Sequence, residues 1–158
     1  MYISSETRLF IREHSTDDVR TLALQSKKYP DVDMPVAITQ IAGRQIAAEK
    51  IPSWKKIEDI RYPKHLSLEQ CSSEITAYYK AGLLQGDSLT DLTGGFGVDC
   101  SFLAEKFKSV TYVERQEELC GIAAHNFPIL GLNHINVKNE YGIAHLKALS
   151  PVYCIFLV

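Results

Sequence analysis

The feature that most constrains this chain is a change of period near residue 86. From there on, short runs rich in β-branched residues alternate with stretches of helical spacing. "SLTDL" is followed by "GVDCSFLAEKF", "SVTYVE" by "QEELCGIAAHNFPILGL" and "HINVKNE" by "GIAHLKAL", and "VYCIFLV" is a fourth apolar run. Alternation of this kind predicts βαβ units and a parallel sheet, because a parallel connection must cross over the sheet. Right-handed crossovers then give a Rossmann-like half-fold of four parallel strands.

The chain before that point reads as helical. In "SSETRLFIREH" serines precede a helix carrying Leu9 and Phe10. In "STDDVRTLALQ" Ser15 is the expected N-cap, with Asp18 three residues on and Val19, Leu22 and Ala23 on one face. "MPVAITQIAGRQIAAEK" has Pro35 in a first turn and Ile38, Ile41, Ala42, Gln45 and Ile46 at helical spacing, and Pro52 stops it. Residues 51–66 read as a connector that packs through Trp54. "LSLEQCSSEITAYYKAGLLQGD" reads as a single helix. Ser67 and Gln70 are its capping box; Leu68, Cys71, Ile75 and Tyr78 or Tyr79 form its stripe; Gly86-Asp87 closes it. The expected architecture is α/β: an all-helical N-terminal region and connector, residues 1–66, then a Rossmann-like domain, residues 67–158.

Composition limits the function classes. At 158 residues, 46% apolar and 23% charged, the chain suits one domain, or one with a helical annex. No run approaches the roughly 18 apolar residues that span a bilayer, and charges interrupt "MYISSETRLFIREH" where a signal peptide needs its apolar core. A cytoplasmic protein without membrane partners is expected. Cysteines at 71, 100, 120 and 154 form no C-x-x-C pair, so free thiols and no metal site are expected. The net charge of −2 gives no global nucleic-acid signal. Locally, Lys50, Lys55, Lys56, Arg61 and Lys64 face only Glu58 and Asp59, a stretch that either meets phosphates or is a solvated face.

The chemistry concentrates in "DLTGGFGVDC". In doubly wound sheets, ligands sit beyond the carboxyl ends of the strands. Asp91 ends the first strand there, and Gly94, Gly95 and Gly97 make the turn into the next helix. Glu114 ends the second strand, 23 residues after Asp91, where an acid can accept both ribose hydroxyls of an adenosine. A dinucleotide fingerprint counted from Gly95 and Gly97 needs a third glycine at 100, which is Cys100. Asp91 and Asp99 also disfavour a pyrophosphate, and without G-K-[ST] there is no P-loop. S-adenosylmethionine carries a sulfonium and an ammonium and no phosphate, which suits an acid-flanked glycine turn. A tight turn with no ligand is the competing reading.

Residues 67–158 resemble the class I S-adenosylmethionine-dependent methyltransferases. Asp91-x-Thr93-x-Gly95-x-Gly97 matches their first motif, with Thr93 where glycine is commonest. More narrowly, the Glu69-Gln70 helix before the glycine strand and the His125-Asn126 pair after the second strand resemble the bacterial THUMP-like group. That group is related to trimethylguanosine synthase, the cap guanine-N2 methyltransferase. The resemblance implies that Asp91 orients the methionine ammonium, Thr93, Gly94, Gly95 and Gly97 cradle the cofactor, and Glu114 binds the ribose. It also implies contacts from Gln70, Ser73 and Thr76, for which helix capping is the alternative. Asn139 or Glu140 would take the adenine contact, and His125 and Asn126 would hold a helix end.

The same resemblance implies an RNA substrate methylated at a base nitrogen. Related nitrogen methyltransferases place an Asp/Asn-Pro-Pro-aromatic motif after the fourth strand, and the 158 residues end at Val158 without it. A C-terminally truncated piece that binds cofactor without catalysis is therefore expected, and no catalytic residue is assigned. Strand four should lie beside strand one and leave an apolar edge at 152–158, covered by another copy of the chain or by the N-terminal helices. The competing function is a non-catalytic protein- or RNA-binding module with a degenerate methyltransferase fold. A nicotinamide dehydrogenase ranks third.

Overall fold

A computed structural model describes residues 3–150 and 154–157. The N-terminal part begins with α1 (Ser5–Glu13), α2 (Val19–Leu24) and α3 (Met34–Lys50). Ser4 caps α1 by accepting the Thr7 N–H. Asp18, rather than Ser15, caps α2: its carboxylate accepts from the Arg20 and Thr21 N–H groups. The Asp18 side chain thus begins the helix three residues later than the capping-box reading placed it. Asp33 caps α3 with Pro35 in its first turn, as expected. Ile3, Phe10, Ile11, Leu22, Met34, Ala37 and Ile41 close a first core between these helices.

The connector begins with the single turn α4 (Pro52–Lys55), which buries Trp54. Its extended stretch at 60–63 is strapped from both sides. Asn126 accepts the Arg61 N–H and donates to the Arg61 carbonyl, both at 2.9 Å. Gln40 does the same for Tyr62, also at 2.9 Å for both bonds. Two side-chain amides therefore supply the backbone pairing that a neighbouring strand would give. A second core joins Ala47, Ile51, Trp54, Ile60 and Tyr62 to Leu68, Ala77, Phe96, Val98 and Ile122. Apolar packing is thus continuous across residues 66–67.

The long helix expected from residue 67 is two helices, α5 (His65–Gln70) and α6 (Glu74–Gly82). Cys71 is extended at ψ 157°, and Ser73 caps α6 by accepting the Thr76 N–H. The serine pair Ser72-Ser73 offers a fresh cap, and capping wins over continued helix. The expected stripe fails with it: Leu68 and Ala77 are buried, whereas Ile75, Tyr78 and Tyr79 are exposed. Gly86 opens the first strand instead of closing the helix.

The sheet matches the expected class. Its strands are β1 (Gly86–Asp91), β2 (Phe107–Glu114), β3 (Ile135–Asn139) and β4 (Cys154–Phe156), all parallel, in the order β3-β2-β1-β4. Helices α7 (Val98–Ala104), α8 (Glu117–Ile129) and α9 (Gly142–Ala148) lie between successive strands. Leu89, Val110 and Tyr112 of the sheet pack with Cys100, Leu103, Ala123 and Phe127 of α7 and α8. β4 lies beside β1, as expected, with Leu89, Thr90 and Asp91 opposite Cys154, Ile155 and Phe156. The rest of the expected fourth strand, at 152, 153 and 158, lies outside the described residues. The N-terminal helices do not cover this strand, since Ile155 and Leu157 remain exposed.

Candidate functional site

Three turns meet at the carboxyl ends of the strands. Leu92–Val98 follow β1, Arg115 and Gln116 follow β2, and Gly142 follows β3. With α5 and the Cys71-Ser72 turn they line a cleft of about 440 Å³. The chain winds to one side of β1 through β2 and β3, then returns to the other side as β4, so β1 sits at the reversal of strand order. Open α/β sheets bind ligands at that point.

The glycine turn is shaped by its neighbours. Gly94 lies against the Tyr112 ring, and a side chain there would collide with it. Gly97 caps α7 in the left-handed region, at φ +87°. The Tyr112 hydroxyl donates to the Gly95 carbonyl at 2.5 Å. Glu114 fastens the turn from the other side: one carboxylate oxygen accepts the Gly95 N–H at 3.0 Å, the other the Gln116 N–H at 2.8 Å. Glu114 lines the cleft, and each of its oxygens keeps acceptor capacity beyond the one N–H it holds, as a diol needs.

Asp91 lies behind the turn. It is 1% exposed and accepts the Thr93 N–H at 3.0 Å. Burial pushes its carboxyl up to about 7 against the pull of that N–H, and the negative charges of Asp99 and Glu114 add to the rise. Asp99 lines the cleft from the first turn of α7. One of its oxygens accepts from Ser72 at 2.8 Å and from the Lys80 ammonium at 3.0 Å; the other is buried without a hydrogen-bond partner. Lys80 also stands 5.6 Å from the centre of the Phe156 ring, tying α6 to β4.

Of the residues named from sequence, Gln70, Thr93, Gly94, Gly95, Gly97 and Glu114 line the cleft together. Asp91 supports its floor and is not in the lining. Ser73 and Thr76 bond each other at the start of α6, outside the lining. Glu140 is also outside, with its carboxylate 3.0 Å from His145. Asn139 donates to the Glu114 carbonyl at 3.0 Å, bracing the end of β2. His125 bonds the Asp59 carbonyl at 2.9 Å, so the His125-Asn126 pair holds the connector rather than a helix end.

Ser67, Cys71, Ser72, Arg115 and Gln116 also line the cleft, and sequence reasoning did not single them out as contacts. Arg115 and Gln116 could have been found as the residues next after Glu114. Ser72 and Cys71 could not, because the helix break at Cys71 places them. Burial raises the Cys71 thiol to about 11, which holds it in the protonated form at neutral pH.

The basic stretch does not form one free face. Lys50 donates to the Leu68 and Glu69 carbonyls at the end of α5, and Lys64 lies 3.3 Å from Glu118. All four cysteines are free, and no group of His, Cys, Asp or Glu among the described residues could hold a metal ion. No helix among them is long and apolar enough to cross a membrane.

The sequence matches no family model and none of the curated proteins. Among solved structures it is similar to that of a "putative methyltransferase" from Porphyromonas gingivalis W83. The two are 28% identical with a TM-score of 0.72, over 94% of this chain and 38% of that one. This chain has the Rossmann-like methyltransferase fold. It spans a little over a third of the Porphyromonas protein's length. An rRNA methylase from Streptococcus thermophilus is a weaker likeness, 24% identical with a TM-score of 0.43, over 52% of this chain and 51% of that one. A Streptococcus mutans protein in complex with SAH is 19% identical with a TM-score of 0.44, over 52% and 48% of the two chains. Likeness at those two scores has no bearing on function.

Proposed function

We propose that the cleft binds S-adenosylmethionine and that the chain is the cofactor-binding part of a methyltransferase acting on a base nitrogen in RNA. The observation that carries the cofactor reading is Glu114. It stands at the end of β2 with both oxygens pinned by backbone N–H groups of the turns it faces. The donor set fits the ligand's charge. Asp91, Asp99 and Glu114 surround the turn, and the unpartnered oxygen of Asp99 is suited to a cationic group. The same acids oppose a pyrophosphate.

The cofactor supplies an electrophilic methyl group, and transfer to nitrogen is a displacement in which alignment contributes most of the rate. The chain's part is to bind and orient. Glu114 accepts the ribose hydroxyls, and Gly94, Gly95 and Gly97 let the backbone come close. Asp91 and Asp99 place negative charge near the methionine end, and Gln70 closes the cleft from α5. The segment after β3 reaches the cleft through Gly142, so the adenine contact falls to that stretch of backbone in place of the Glu140 side chain. RNA is the substrate class that the narrower resemblance supports, carried by the Glu69-Gln70 helix and the His125-Asn126 pair of the trimethylguanosine synthase-like group.

Calorimetric titration tests this reading. S-adenosylmethionine should bind saturably and NADH should not. The wild type should prefer S-adenosylhomocysteine over its 2′-deoxy analogue, and Glu114→Gln should lose that preference along with about tenfold in affinity, or about 1.4 kcal/mol. Absence of saturable binding, or tighter binding of NADH, would overturn the proposal. Transfer of labelled methyl to RNA separates an active enzyme from a module that only binds cofactor.

A further inference from the structure

The N-terminal helices carry a second concavity, of about 50 Å³, lined by four arginines from three separate elements. Arg8 and Arg12 come from α1, Arg44 from α3 and Arg61 from the connector. Glu58 and Asp59 are the acids beside them, which leaves an excess of two positive charges. Asp59 is taken by Arg8 at 2.9 Å. Arg44 donates one terminal nitrogen to the Glu58 carbonyl, and its Nε is buried without a hydrogen-bond partner. Among the described residues, Arg12 and the Arg61 guanidinium make no hydrogen bond or ion pair.

Converging like charges repel, and a buried N–H without an acceptor costs stability; an anion among these residues would relieve both. Guanidinium forks match tetrahedral oxyanions in bidentate geometry. The concavity is too small for a nucleoside and large enough for one phosphate group. We infer that it is a phosphate-binding site built by Arg12, Arg44 and Arg61. Partial burial and the nearby Arg8 charge disfavour the Arg61 cation, and the Asp59 carboxylate offsets them only in part. The site lies beside Asn126 and His125 in the second half of α8, whereas the cofactor cleft takes in the start of that helix, so the two sites are separate in space.

The phosphate can belong to an RNA backbone or be a free phosphate, and one experiment distinguishes these. Inorganic phosphate titrated into the labelled protein should shift the Arg44 Nε–H resonance saturably. A fluorescent single-stranded RNA should bind the wild type with an anisotropy change. The double variant Arg12→Gln/Arg61→Gln removes two side chains that make no bonds in the structure, and circular dichroism checks its fold. Loss of the phosphate shift, with RNA affinity at least fivefold weaker and a salt slope lower by about 1.4, assigns the site to an RNA phosphodiester. Loss of the phosphate shift with RNA binding unchanged assigns it to a free phosphate. A wild type without a saturable phosphate shift, or a folded variant that binds both as the wild type does, would overturn the inference. None of these readings requires S-adenosylmethionine, so the methyltransferase proposal can fail separately.

Discussion

Asp91 shows how one residue can carry both a stability and a binding signature. Folding raises its carboxyl from 3.8 to about 7. Between those values the folded chain keeps a proton that the unfolded chain has released, so stability falls as pH rises and levels off above about 7. Asp91→Asn should remove that part of the decline, as urea midpoints of the two proteins across pH 4.5 to 8 would show. A wild type and variant with parallel profiles would place the carboxyl in its ordinary range. A cationic ligand favours the ionised form. Affinity for S-adenosylmethionine should therefore rise by up to about tenfold from pH 6 to 8, with proton release on binding seen in buffers of different ionisation enthalpy. A flat profile would mean that Asp91 does not face the cation.

At the scale of elements, the connector depends on two amides. Asn126 is fully buried, and truncating it leaves the Arg61 N–H and carbonyl without partners. Asn126→Ala should cost about 2–3 kcal/mol in urea denaturation, and Gln40→Ala a similar amount. His125→Ala, which removes a bond at the exposed surface, should cost less than about 1 kcal/mol. Equal losses for Asn126→Ala and His125→Ala would show that the strap is not what fixes the connector. The pair was visible in the sequence, but its role was not. An Asn in a helix interior looks like any polar surface position until the extended segment it bonds, 65 residues earlier, is seen beside it.

For the whole molecule, the sheet order leaves β4 at an edge, with Ile155 43% and Leu157 62% exposed. On α6, Ile75, Tyr78 and Tyr79 are also exposed, and Lys80 of that helix reaches the Phe156 ring of β4. An apolar edge strand beside an apolar helix face is a pairing surface. The chain should self-associate in sedimentation at high micromolar concentration, and Ile155→Lys should shift it toward monomer. A wild type that sediments as a monomer throughout would show that this face tolerates water.

The sequence by itself determined the parallel sheet and the glycine turn, and the resemblance added the place of β4 beside β1. Period 2 against 3.6 is a local property, and parallel pairing with right-handed crossovers leaves few ways to arrange four such units. It also marked Thr93, Gly94, Gly95, Gly97 and Glu114, because backbone geometry at strand ends depends on residues close in the chain; Gln70, on a helix, came from the resemblance alone. Only the tertiary structure decided the rest. Whether residues 65–82 form one helix or two depended on which competing cap was used, and the Cys71-Ser72 turn entered the cleft as a result. The basic stretch lost Lys50 and Lys64 to a helix end and to Glu118, while Arg61 joined three arginines distant in sequence. Side-chain partners chosen across the fold, at separations no local pattern records, set which charges remain available to a ligand.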